Sequence, residues 1–123
     1  MPDQRLNAYL KGLQGEEAAE DYLCKAGMAC LDRRYRSPYG EIDLIMLDGE
    51  VLAFVEVKAR NMSTLYAAQM SVTPTKQRRI IQTALCFLSE YPEHTGRLMR
   101  FDIIALSGDC IQHIPNAFQG TGW

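Results

Sequence analysis

No apolar stretch among the 123 residues approaches the roughly 18 that a membrane-spanning helix needs. The first residues, Met1-Pro2-Asp3-Gln4-Arg5, show no apolar block followed by a small-residue cleavage site. The expectation is a cytoplasmic chain. Cysteine is sparse and badly spaced for chemistry. Cys24, Cys30, Cys86 and Cys110 form no Cys-x-x-Cys pair, and the two histidines, His94 and His113, stand apart. This excludes a zinc site of ordinary spacing and argues against a disulfide framework, leaving the four thiols as small hydrophobes in or near the core. Excess positive charge is also missing: 13 basic against 15 acidic residues give a net charge of −2, low for a dedicated nucleic-acid binder. Repeats and low-complexity segments are absent.

What remains is an ordinary globular composition, 47% apolar and 23% charged, at a length suited to one domain. A chain of this mass buries roughly two-thirds of its unfolded surface. Charge is unevenly distributed. Glu16, Glu17, Glu20 and Asp21 form an acidic segment, whereas Arg33, Arg34 and Arg36, and again Lys76, Arg78 and Arg79, are basic clusters. A basic face can coexist with an acidic total.

Residues 4–27 read as a helix with an apolar stripe of Ala18, Ala19, Tyr22, Leu23 and Ala26, stopped by Gly27 and weakened by Gly12 and Gly15. A first strand follows over 28–36, then a turn at Ser37-Pro38-Tyr39-Gly40. Two apolar runs, 41–47 and 51–57, flank Asp48-Gly49, a strong hairpin signal. Residues 59–72 have no period and read as a loop, and loops of that length are often functional. Thr73-Pro74 opens a second helix as N-cap and first helical residue, with a stripe of Ile80, Ile81, Ala84, Leu85, Leu88 and Tyr91. Tyr91-Pro92 ends it. Residues 99–106 form a fourth strand and 110–114 a fifth. The order αβββαβ(β) is that of an α/β fold, a mixed sheet covered by helices.

Three charged residues interrupt the apolar strands: Asp43 between Ile42 and Leu44, and Glu56 and Lys58 around Val57. Strand alternation sets Glu56 and Lys58 on one face, and Glu41 and Asp43 on one face. A two-residue turn at 48–49 pairs 47 with 50, hence 43 with 54 and 41 with 56. Asp43 and Glu56 are then diagonal neighbours, with Cβ atoms under roughly 7–8 Å apart. Two such carboxylates can grip a hard divalent cation. Mg²⁺ takes oxygen ligands, keeps several waters, and is held by one or two carboxylates plus substrate phosphate. A lysine beside them can orient or deprotonate water, or neutralise a pentavalent phosphate. Residue types alone equally allow a solvated Glu56–Lys58 pair at a strand end, worth about 0–1 kcal/mol. On the first helix Glu16 falls at the edge of the apolar stripe, within about 20° of Leu23, while Glu17 and Asp21 point away. Dipole compensation near a helix N-terminus is the other explanation for these acids.

Several longer motifs point further. They are Gly15-Glu16-x-x-Ala19-x-x-Tyr22-Leu23, Gly40-Glu41-Ile42-Asp43-Leu44-Ile45, Phe54-Val55-Glu56-Val57-Lys58-x-Arg60, Val72-Thr73-x-x-Lys76-x-Arg78-Arg79, Arg100-Phe101-Asp102 and His113-Ile114-Pro115-Asn116-Ala117-Phe118. On these the chain resembles the YraN-type family of small uncharacterised bacterial proteins, themselves similar to archaeal Holliday junction resolvases of the PD-(D/E)xK nuclease superfamily. The resemblance runs from about residue 12 to 118. It implies a restriction-endonuclease-like core in a single domain, and a Mg²⁺- or Mn²⁺-dependent endonuclease acting on DNA, branched or junction DNA included. A nucleic-acid-binding module that keeps the fold without catalysis is the alternative. By resemblance Asp43, Glu56 and Glu16 are metal-binding acids and Lys58 the catalytic lysine. The superfamily's proline is replaced by Ile42, as is common in resolvase-like branches. Glu41 has no assigned role. Arg60, Lys76, Arg78, Arg79, Arg34 and Arg36 are candidate phosphate contacts, each with a solvated helix or strand face as the plainer account. A homodimer is implied by resemblance alone. Asp102 reads as a structural hydrogen-bonding acid, and His113 as a strand residue.

Overall fold

The computed structural model describes residues 4–58, 71–107 and 110–119, the first ten of these by their helical backbone alone. Helix α1 spans Gln4–Lys25 and runs through Gly12 and Gly15 without a break. Gly27, at φ +101°, stops it. The Gly27 amide donates to Cys24 O (3.0 Å) and the Met28 amide to Leu23 O (3.0 Å), while the Met28 and Leu23 side chains bury together. That pattern satisfies the last carbonyls and turns the chain into the sheet. The expected stripe narrows: Ala19 and Leu23 are buried, whereas Ala18, Tyr22 and Ala26 are exposed. Over its described side chains the helix meets the sheet along one line, so a broad stripe has nothing to cover there.

Five strands follow: β1 (Ala29–Ser37), β2 (Gly40–Asp48), β3 (Val51–Lys58), β4 (Met99–Ser107) and β5 (Cys110–Phe118). They lie in the order β1-β2-β3-β4-β5, antiparallel except for β3 and β4. The parallel pair needs a crossover, and helix α2 (Pro74–Glu90) lies within it. Thr73 caps α2 by accepting from the Lys76 amide at 3.3 Å, Pro74 opens it, and Tyr91 closes it. The expected loop at 59–72 lies, apart from Ser71 and Val72, outside the described residues.

The sheet has one core on each face. Against α1 pack Leu44, Met46, Ala53, Val55 and Ile104. Against α2 pack Ile45, Leu52, Phe54, Phe101 and Ile103, with Phe54 stacked on Phe101 at 5.6 Å and Phe87 of α2 edge-on to Tyr35 at 5.3 Å. The α2 stripe rotates from expectation: Thr83 and Phe87 are buried, Leu85 and Tyr91 exposed. Burying side chains of this size stabilises by roughly 1.5–3 kcal/mol each. The cysteines are less buried than expected. All four are free; Cys24 and Cys110 are exposed, and Cys30 and Cys86 half-buried. β5 runs four residues beyond its expected end, through a bulge at which Asn116 takes φ +53°. Among the described residues, no helix is long and apolar enough to cross a membrane.

Candidate metal and nucleic-acid site

Along β2, Leu44 and Met46 face α1 while Ile45 and Leu47 face α2. Strict alternation would send Ile42 toward α1, yet it packs in the α2 core. The neighbouring strand reverses at the same level. Arg33 reaches Glu20 of α1, whereas Tyr35 packs on Phe87 of α2. Between them Arg34 is held at φ +51°, in the sparsely populated left-handed region that flips a strand's facing. Asp43 sits at this reversal, inside β2.

The hairpin register differs from expectation. Gly49 takes φ +61° at the first turn position, so the turn is Gly49-Glu50 and Asp48 pairs with Val51. The observed pairing continues through Leu44 opposite Val55. Carried one step further it sets Asp43 across from Glu56, where direct neighbours have Cβ atoms about 4.5–5.5 Å apart. The observed register is shifted by two positions from the expected one.

Asp43 Oδ2 accepts the Val57 amide hydrogen at 2.8 Å. Burial, followed by the charge of Glu56, pushes its carboxyl up to about 8; Glu16 and Glu41 add smaller contributions and the Val57 hydrogen bond opposes them. Acids from α1, β2 and β3 therefore act on one half-buried carboxyl. Lys58 Nζ lies 3.2 Å from Glu56 Oε1, with the two side chains only 14% and 22% exposed, so this is not a solvated pair at a fraying strand end.

Glu16 does reach the sheet, where Arg34 Nε donates to its Oε2 at 2.8 Å. Its neighbours are used otherwise: Arg33 grips Glu20, and Asp21 pairs with Lys25 at 2.9 Å on the surface. Among the described residues Glu41 Oε1 is buried without a hydrogen-bond partner, and Arg36 Nε lies 3.8 Å from it. A cleft of about 230 Å³ opens here, lined by Tyr39, Glu41, Glu56, Lys76, Arg79 and Ile80.

Of the expected phosphate contacts, Lys76 and Arg79 lie in this cleft and Arg78 is exposed beside it. Arg36 is exposed, Arg34 is half-buried against Glu16, and Arg60 lies outside the described residues. Among the described residues, no three His, Cys, Asp or Glu side chains converge closely enough to form a finished metal shell. The donor set nonetheless fits a hard divalent cation. It is all oxygen, it contains a buried carboxylate oxygen with no hydrogen bond, and Mg²⁺ needs only one or two carboxylates from the protein. Sequence reading left three features unseen: the left-handed Arg34, the orphaned Glu41 oxygen and the position of Tyr39 on the cleft rim. A positive φ at arginine has no signature in residue types.

The comparisons agree on one grouping. Residues 15–106 match the sequence model of an uncharacterised protein family, UPF0102. A UPF0102 protein of Rhodopseudomonas palustris (strain BisB18) is 40% identical over 119 residues, 96% of this chain and 87% of that one. One from Desulfosudis oleivorans is 43% identical over 112 residues, 89% and 90% of the two chains. One from Thermodesulfovibrio yellowstonii is 40% identical over 111 residues, 87% and 94% of the two.

Proposed function

The chain belongs to the uncharacterised UPF0102 family, the YraN-type grouping, and from that premise we propose that it is a divalent-metal-dependent nuclease hydrolysing DNA phosphodiesters. One observation carries the reading. Asp43, a half-buried carboxyl pushed up to about 8, feels the charges of Glu56, Glu16 and Glu41, and accepts one hydrogen bond among the described residues, from the Val57 amide. A carboxylate placed among like charges is destabilised by itself and stabilised by a bound cation.

In this reading Asp43 and Glu56 hold Mg²⁺ or Mn²⁺, with Glu16 joining them when Arg34 releases it. When bound, such an ion neutralises charge building on the attacked phosphate and acidifies a coordinated water. Lys58, already beside Glu56, orients the attacking water or offsets the pentavalent charge. Lys76 and Arg79 line the cleft that Glu56 borders and take the flanking phosphates, while Glu16 lines a separate hollow with Arg34. Branched DNA is the substrate class suggested by the resemblance.

The test is incubation of branched, linear and single-stranded DNA with Mg²⁺ or Mn²⁺. Cleavage by wild type, lost in both Asp43→Ala and Lys58→Ala, supports the enzyme. Salt-sensitive binding without cleavage supports a second reading, a non-catalytic binding module. That reading is favoured by the Arg34 guanidinium occupying Glu16. Neither binding nor cleavage removes both.

A further inference from the structure

Tyr39 stands at the tip of the β1–β2 turn, 49% exposed. It borders two hollows. One is the acidic and basic cleft with Glu41, Glu56, Lys76 and Arg79. The other, about 270 Å³, lies along the outer side of α2 and is lined by Gln82, Leu85, Cys86 and Ser89, with Leu85 42% exposed. The positions 82, 85, 86 and 89 share one helix face, continuing the line that Lys76 and Arg79 begin. The exposed side of α2 therefore changes character along its length. It is cationic beside the carboxylates, then apolar and amide-bearing beyond the tyrosine ring.

The turn is fixed in place. Ser37 Oγ lies 2.8 Å from Thr83 Oγ1 of α2 and accepts from the Tyr39 amide at 3.0 Å. A Cβ added at Gly40 would sit 3.7 Å from Arg79 Cβ, ordinary contact, so strand and helix already touch there. An aromatic ring on a stitched turn is pre-organised, and exposing it costs hydration that a stacked partner removes.

A phosphate group suits the first hollow and a flat, partly apolar ring with amide-sized polar edges suits the second. That combination is one nucleotide, and a base reaches the second hollow only when it is outside a duplex. Resting on the nuclease reading above, we infer that the substrate carries an unpaired nucleotide next to the attacked phosphate, stacked on Tyr39 and seated along Leu85 and Cys86. Tyr39 is thus a specificity-determining residue that selects flapped or forked DNA over continuous duplex. Base–aromatic stacking has the required size and tolerates any base.

The experiment measures binding in EDTA, which prevents cleavage, by fluorescence anisotropy of the full chain. Duplexes bearing a 5′ or a 3′ flap are compared with a fully paired duplex of equal length, and 2-aminopurine marks the first flap nucleotide. Wild type should bind at least one flap about tenfold tighter than duplex and quench the 2-aminopurine. Tyr39→Ala should lose that preference and the quenching while holding duplex as before, and Tyr39→Phe should keep both. Equal wild-type affinity for flap and duplex overturns the inference, as does an equal loss on both DNAs in Tyr39→Ala. Wild type that cleaves paired and flapped DNA alike in Mg²⁺ overturns it while leaving the nuclease reading intact. A protein that binds no DNA removes both.

Discussion

Asp43 and Asp102 are the same residue in the same local setting, one acid in an apolar strand, and they are treated in opposite ways. Asp102 has no exposed side-chain surface, and donors surround it. Arg100 reaches it through two nitrogens (2.8 and 2.9 Å), His113 Nε2 lies 2.8 Å away, and the Asn116 amide donates at 2.9 Å. Arg100 also holds Asp48 at 2.9 Å, so one cluster ties the β2–β3 turn, β4 and the β5 bulge together. Burial by itself would push the Asp102 carboxyl up; the hydrogen bonds from His113, Arg100 and Asn116 outweigh it and hold the group below its usual range. Asp43 has one amide donor among the described residues and feels the charges of Glu56, Glu16 and Glu41, and its carboxyl rises. The comparison shows that an acid inside an apolar strand becomes structural or ligand-seeking according to its neighbours.

The largest expected difference is in stability. Asp102→Ala leaves Arg100 with Asp48 alone and the Asn116 amide without its acceptor, and should cost about 3–5 kcal/mol, whereas Asp43→Ala should cost far less. Urea melts at pH 7 compare them, and equal losses would break the distinction. Next is pH. The folded carboxyl of Asp43 lies above its unfolded value near 3.8, so its ionisation opposes folding increasingly as pH rises from about 4 to about 8. Asp43→Asn keeps an acceptor for the Val57 amide and removes that charge. It should gain on the order of a few kcal/mol at pH 9 and nothing at pH 4. Asp102 runs the other way, its contribution being full above the unfolded value and lost as pH falls below it.

A smaller effect is expected from divalent cations. At ten times the dissociation constant, Mg²⁺ should stabilise the wild type by about 1.4 kcal/mol at pH 8, a rise of several degrees in Tm by calorimetry, and should leave Asp43→Ala unmoved. A shift of the same size in that variant would place the ion elsewhere. Smallest is the basic rim: Lys76→Ala and Arg79→Ala should each reduce the salt slope of DNA binding by about one, read from affinity at several salt concentrations.

Much of the fold was legible because local rules dominate it. Gly27 stops α1 where a left-handed residue is needed, and Thr73-Pro74 starts α2 where a cap and a missing amide hydrogen cost nothing. Asp43, Glu56 and Lys58 stood out because charge inside an apolar strand is expensive unless it is used or paired. Less legible was anything set by contact across the molecule. The exact stripe of each helix depended on the sheet it met. The turn moved by one residue because Gly49 accepts a positive φ that Asp48 would not adopt as easily.

Residue order and local chemistry were enough for the elements and their succession, since helix caps, turn residues and strand periodicity act over a few positions. Packing alone decided that Arg34 would take a left-handed bend, that β1 and β2 would reverse facing at Asp43, and that Asp102 would be met by hydrogen-bond donors while Asp43 felt mainly other acids. Electrostatic character is a sum over neighbours, and those neighbours come from strands and helices that lie far apart along the chain.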